Sequence, residues 1–228
     1  MNSLPWTSFP FIELGRHFSS EWHTSTYWHP PLGGFKVYAP IKCIEAMGGA
    51  FDDVVPCWVI DEERIYNAAD EVPVFERLGS YNADQKLITL HVKAIEEAAK
   101  LLAAKLPPEQ CNAGAPLALN LAVMVYLHEI GHALHHWRIQ EDLPKIEAET
   151  LAQHFTVTSI ASFGLGLRPI FDALEAMQSD EYREWRKAGP TTWAQCRNIY
   201  DEVGSKSNFE RDVDLESRPD KRILNNLY

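Results

Sequence analysis

His128, Glu129 and His132 stand as H-E-x-x-H within VMVYLHEIGHALHHW, residues 123–137. On a helix, a step of four residues turns about 400°, which puts the two imidazoles on one face, one turn apart. At that spacing both rings reach one tetrahedral zinc ion at about 2.0–2.1 Å. Glu129 is rotated about 100° from His128. It therefore flanks the metal as a base for a bound water and is not a ligand. The surroundings strengthen this reading. The stretch lies in the most apolar run of the chain, where imidazoles and a carboxylate without partners are costly. A metal ion compensates them. The bland alternative is a pair of hydrogen-bonded core histidines beside a surface glutamate.

Two histidines leave a tetrahedral site short of a ligand. An extended three-histidine pattern needs histidine at 138, where Arg138 stands, and glycine at 135, where His135 stands. The third ligand must come from elsewhere, and the next helical stretch offers Glu147 and Glu149. Residues two apart lie about 200° apart on a helix, so only one of them faces inward. Glu149 shares its face with Ile146, Ala152, Gln153, Thr156 and Ile160, which suit packing on the His128 helix. Glu147 shares a more mixed face with Leu151, His154 and Thr158. Glu149 is the expected ligand and Glu147 the reserve. His135 falls near the ligand face one turn on, as a supporting group or outer contact; its bland reading is a histidine favoured by the helix C-terminal dipole.

A histidine pair followed by a glutamate helix resembles the gluzincin class of zinc metallopeptidases. The short spacing resembles its compact members, the minigluzincins, including ImmA/IrrE-like proteases. HEIGHALHH, 128–136, is similar to the H-E-[IL]-G-H-x-L-x-H wording of that group, and ETLAQHF, 149–155, resembles its E-x-x-A-[DN]-x-F segment. The resemblance implies Glu149 on the metal. It also places Gln153, in lieu of Asp or Asn, where it can hydrogen-bond a ligand histidine. GSYNADQKLITLHV, 79–92, resembles the strand that precedes the metal helices in this class. There it is a sheet edge that pairs with an extended substrate peptide, which implies that role for Leu87, Ile88, Thr89, Leu90 and His91. The resemblance spans about 78–160 and implies a zincin-like core.

The elements that must position these groups follow from pattern. Residues 35–39 and 57–60 read as strands. A turn at Asn82–Asp84 precedes an alternating strand with Ile88, Leu90 and Val92 on one face. Residues 93–106 read as a helix stopped by Pro107 and Pro108. Pro116 opens a helix to about 138 that is apolar nearly all round and should be central. Pro144 starts another to about 161, and 168–204 reads as two or three shorter helices. The expected class is α+β: a small, mostly antiparallel sheet with an edge strand beside a helical core. Residues 1–228 are read as one domain, with an aromatic, irregular cover at 1–38, a catalytic core at 78–160 and a helical elaboration at 165–228. The tail after 205 reads as polar and loosely held.

Composition bounds the partners. A formal net charge of −11 argues against a nucleic-acid backbone or an anionic membrane. The longest uncharged apolar run, 117–127, is too short to span a bilayer and suits a core helix. Cys43, Cys57, Cys111 and Cys196 form no C-x-x-C pair, and the N-terminus has no signal-peptide pattern. A cytoplasmic protein with reduced thiols is expected.

The expectation is a Zn²⁺-dependent peptidase acting on a protein or peptide. His128, His132 and Glu149 hold the metal, Glu129 takes the water proton, and a further donor steadies the oxyanion. No histidine follows His154, so Tyr200, Arg197 and Tyr182 are the candidates for that donor, Tyr200 being carried forward. Tyr200 as a packing residue is its plain alternative. Two other functions remain open: a zinc-stabilised, non-catalytic protein-binding module, and a zinc hydrolase of a non-peptide amide.

Overall fold

The segment Leu117–Ile139 has no polar stripe for most of its length, so it must be covered on every side. In the computed structural model it is the central helix, with Leu121, Tyr126, Leu127 and Ile130 fully buried. The structure describes residues 23–29, 33–39, 41–49, 57–61, 74–111, 117–139, 143–163, 166–188 and 192–217. Their elements run β1 (His23–His29), β2 (Gly33–Ala39), α1 (Ile41–Ala46), β3 (Cys57–Asp61), β4 (Gly79–Asn82) and β5 (Leu87–His91). They continue with α2 (Val92–Ala103), α3 (Leu117–Ile139), α4 (Lys145–Phe163), α5 (Arg168–Glu175) and α6 (Trp193–Ser217). Short 3-10 turns cover Val74–Glu76 and Asp180–Ala188. The described fold is mostly helical with two small sheets, in keeping with an α+β class.

β1 and β2 pair antiparallel, from His23 opposite Ala39 to His29 opposite Gly33. The stretch read as irregular cover therefore contains a hairpin; the rest of residues 1–38 lies outside the described residues. The second sheet has the order β3-β5-β4. β3 runs parallel to β5 and β4 antiparallel to it. Asn82 builds the β4–β5 turn by accepting the Gln85 N–H on its side chain at 2.9 Å, and Lys86 takes the left-handed backbone at φ 48°.

One expectation is corrected here. Leu87, Ile88, Thr89, Leu90 and His91 form a central strand, not an edge. Cys57–Asp61 occupies one side and Gly79–Asn82 the other, so no free row of backbone groups is left for a peptide. Among the described residues it is the outer strands, β3 and β4, that each leave one side unpaired. The helices begin and end close to their expected limits, apart from α6, which runs on as helix to Ser217.

α3 is long and apolar enough to cross a bilayer by length and composition, but 83% of the apolar window lies inside the fold. Cys43, Cys111 and Cys196 are free thiols. α3 and α4 pack directly together, with α6 behind them and β4 alongside α3.

Candidate metal centre and its cleft

Gly131 sets the distance between α3 and α4. A Cβ there would stand 2.7 Å from the Ala152 Cα, closer than real contacts allow, so the two helices touch backbone to backbone at this point. Tyr200, fully buried on α6, clasps the crossing from behind. Its hydroxyl donates between the Gly131 and Leu151 carbonyls, at 3.2 and 3.0 Å. One turn before Ala152, the close approach delivers Glu149 to the face that carries His128 and His132.

The three side chains converge. His128 Nε2 lies 3.0 Å from Glu149 Oε2 and 3.1 Å from His132 Nε2, and His132 Nε2 lies 3.7 Å from the same oxygen. A tetrahedron with bonds of about 2.0–2.1 Å has edges of about 3.3–3.4 Å, a value these separations bracket. Hydrogen bonding alone does not satisfy the trio. If His128 Nε2 carries a proton it serves Glu149 and cannot accept from His132. If it is bare it accepts from His132 and meets the lone pairs of Glu149. A single cation suits all three atoms, and the cluster can hold a metal ion. Glu147, the reserve, is exposed and outside the cluster.

The electrostatics divide the two glutamates. Glu129 is 5% exposed, and burial pushes its carboxyl up to about 7, with His132 pulling it down and Glu149 adding to the rise. Burial alone would also raise Glu149. The hydrogen bonds and charge of His128 and His132 override it and hold that carboxyl well below the usual range. Glu129 sits against β4 at Gly79, where a Cβ would stand 2.6 Å from Val125 Cγ1 and 3.1 Å from Glu129 Oε1. Glycine is what lets the strand pass this close.

The expected donor is also corrected. Tyr200 is sequestered behind the helix pair, its hydroxyl engaged by two carbonyls, so it does not face the cluster. Arg197 is exposed on α6. Tyr182, from the Asp180–Ala188 turn, is the candidate that reaches the site. Its ring centroid lies 6.0 Å from that of His128 and it lines the same cleft. Burial raises its hydroxyl far above the ordinary value, and Glu149, Glu76, Glu129 and Glu181 add to the rise, so it stays protonated and can donate.

His135 stacks edge-on against His132 at 5.5 Å and is no part of the trio. Its Nδ1 is buried without a partner, and burial, with His132 and His136 nearby, lowers its pKa to about 3. It is a neutral ring packed behind a ligand. Gln153 lines the cleft beside His128 and Glu129, and no hydrogen bond to either histidine is formed.

The cleft encloses about 450 Å³ of free space including its open mouth. Phe75, Leu78, Met124, Val125, Phe171 and Leu174 form apolar walls, while His128, Glu129 and Tyr182 mark the chemical side. Phe75, Glu76 and Gly79 were missed in the sequence. Their segment carries no periodic pattern, and the one signal was an unbranched glycine ahead of a strand. Comparison of the chain with family models, curated proteins and solved structures returns no match.

Proposed function

We propose that this protein is a zinc-dependent peptidase of gluzincin type, with a zincin-like core formed by α3, α4 and the β3-β5-β4 sheet. The observation that carries the reading is the convergence of His128 Nε2, His132 Nε2 and Glu149 Oε2 with Glu129 buried alongside. Two imidazoles and a carboxylate are a donor set that suits zinc and leaves one position open. When bound, the ion would make a coordinated water acidic and polarise a carbonyl. Glu129, already poised near neutrality, accepts the water proton on its carboxylate and passes it to the leaving amine. The Tyr182 hydroxyl donates to the oxygen on which negative charge develops. With β5 enclosed, an extended peptide would pair with an outer strand, and of β3 and β4 it is β4 that lies next to Glu129, at Gly79.

The buried base distinguishes this reading from a zinc-stabilised binding module, which would have no use for a desolvated carboxylate beside the metal. The test is hydrolysis of a mixed peptide library by the zinc-loaded protein, with Glu129→Gln as control. Cleavage by the wild type alone supports the proposal. Equal products, or none, from both proteins would contradict it.

A further inference from the structure

We propose that Glu76 makes the cleft selective for a substrate residue with an apolar stem and a cationic head, that is, lysine or arginine. The inference rests on the peptidase reading and names the substrate class of that same site.

Two features of the cleft combine. Its walls are apolar, from Phe75 and Leu78 on one side to Phe171 and Leu174 on another. The charged side chains that line it are both carboxylates, Glu76 and Glu129. Glu129 is buried and belongs to the chemistry. Glu76 is half-buried, its Oε1 accepts the Ser179 N–H at 3.1 Å, and no ion pair among the described residues neutralises it. The ammonium whose charge interacts with Glu76, that of Lys145, is held by Glu181 at 2.5 Å.

Lysine and arginine lay their methylenes along apolar surface and leave the charged head at a polar end. In this cleft that geometry seats the stem against the walls and the head at Glu76. An acidic side chain would meet Glu76 and Glu129 in a poorly solvated space, where like charges repel strongly. A leucine would fill the walls but would strip water from Glu76 and give it no partner. The net charge of −11 adds a long-range field that draws basic segments in. Gln178 braces the wall by donating from Nε2 to the Phe75 carbonyl at 2.9 Å, which fixes the turn that carries Glu76.

Met124 lines the cleft and reports on it directly. The full chain, labelled with ¹³C at the methionine methyls and free of metal, is titrated with Nα-acetyl-lysine methylamide and with its norleucine counterpart. The expected result is a shift of the Met124 methyl, with at least fivefold tighter binding of the lysine probe. That preference should vanish in Glu76→Gln, which keeps an acceptor for the Ser179 N–H. Equal affinities, a lysine preference that survives Glu76→Gln, or no Met124 shift with either probe would overturn the proposal. This titration needs neither zinc nor turnover, so its failure is separate from failure of the peptidase reading, which the Glu129→Gln comparison decides. In the library digest, the wild type should cut with lysine or arginine enriched at one fixed position from the scissile bond. Glu76→Gln should still cut, without that enrichment. An enrichment in apolar residues alone, the same in both proteins, would also overturn the proposal.

Discussion

Glu129 and Glu149 approach the same two histidines from different helices, yet their carboxyls are driven apart. Burial lifts Glu129 to about 7, while the histidines hold Glu149 ionised. A base and a ligand need those two states, so the substitutions should separate. Glu129→Gln should keep the metal and lower turnover by about 10²–10⁴. Tyr182→Phe should lower kcat by about 10²–10³ with little change in KM, because its hydroxyl serves charge that develops only in the transition state. Tyr200→Phe should do the reverse. It should leave kcat nearly intact and cost about 1–2 kcal/mol in denaturant unfolding, because it strips a buried donor from two carbonyls. A loss of kcat in Tyr200→Phe with unchanged stability would contradict its placement. The histidine pair and Glu149 were legible in the sequence because helix geometry fixes which residues share a face. Tyr182 and Tyr200 could not be told apart that way. Their positions depend on how the C-terminal elements fold back, and no local period encodes that.

Between elements, the decisive contact is the glycine crossing of α3 on α4. Gly131→Ala must push Ala152 away and with it the helix that carries Glu149. The expected cost is about 1–3 kcal/mol, with weaker metal binding in the same variant. Calorimetric unfolding with and without zinc would show both effects, and a variant as stable and as tight as wild type would refute a backbone contact there. The helices themselves were readable from apolar period and proline stops. The sheet was less so. β4 is four residues of Gly, Ser, Tyr and Asn, a composition that reads as turn. The edge role of β5 was implied by the family resemblance, and a strand whose composition reads as turn offered nothing against it. The β1 strand was hidden in the same way, since aromatic runs broken by proline and glycine carry no clear alternation.

At the scale of the whole molecule, a buried neutral histidine should weaken the fold in acid. His154 is fully buried, both ring nitrogens lack partners, and burial lowers its pKa to about 4. Above pH 6.5 it is neutral in the folded and unfolded chain and has no effect. Between 6.5 and 4 the unfolded chain takes up a proton that the fold refuses, so stability falls with pH, by up to about 3 kcal/mol below 4. The loss of stability between pH 7.5 and 5, read from urea midpoints, should be smaller in His154→Leu than in wild type, with the residual slope set by His135, whose lowered pKa acts in the same sense, and by Glu129, whose raised pKa acts in the opposite sense. An unchanged slope in His154→Leu would show that His154 is not held neutral. The metal should stabilise the same global unfolding, by about 2.7 kcal/mol at a free concentration a hundredfold above its Kd.

The central claim, that α3 and α4 together make a metal site, is tested most directly by zinc per chain measured by elemental mass spectrometry on wild type, Glu149→Ala and Glu147→Ala. The account predicts about one zinc in wild type and in Glu147→Ala and a loss of zinc in Glu149→Ala. No zinc in wild type after reconstitution, or loss confined to Glu147→Ala, would contradict it.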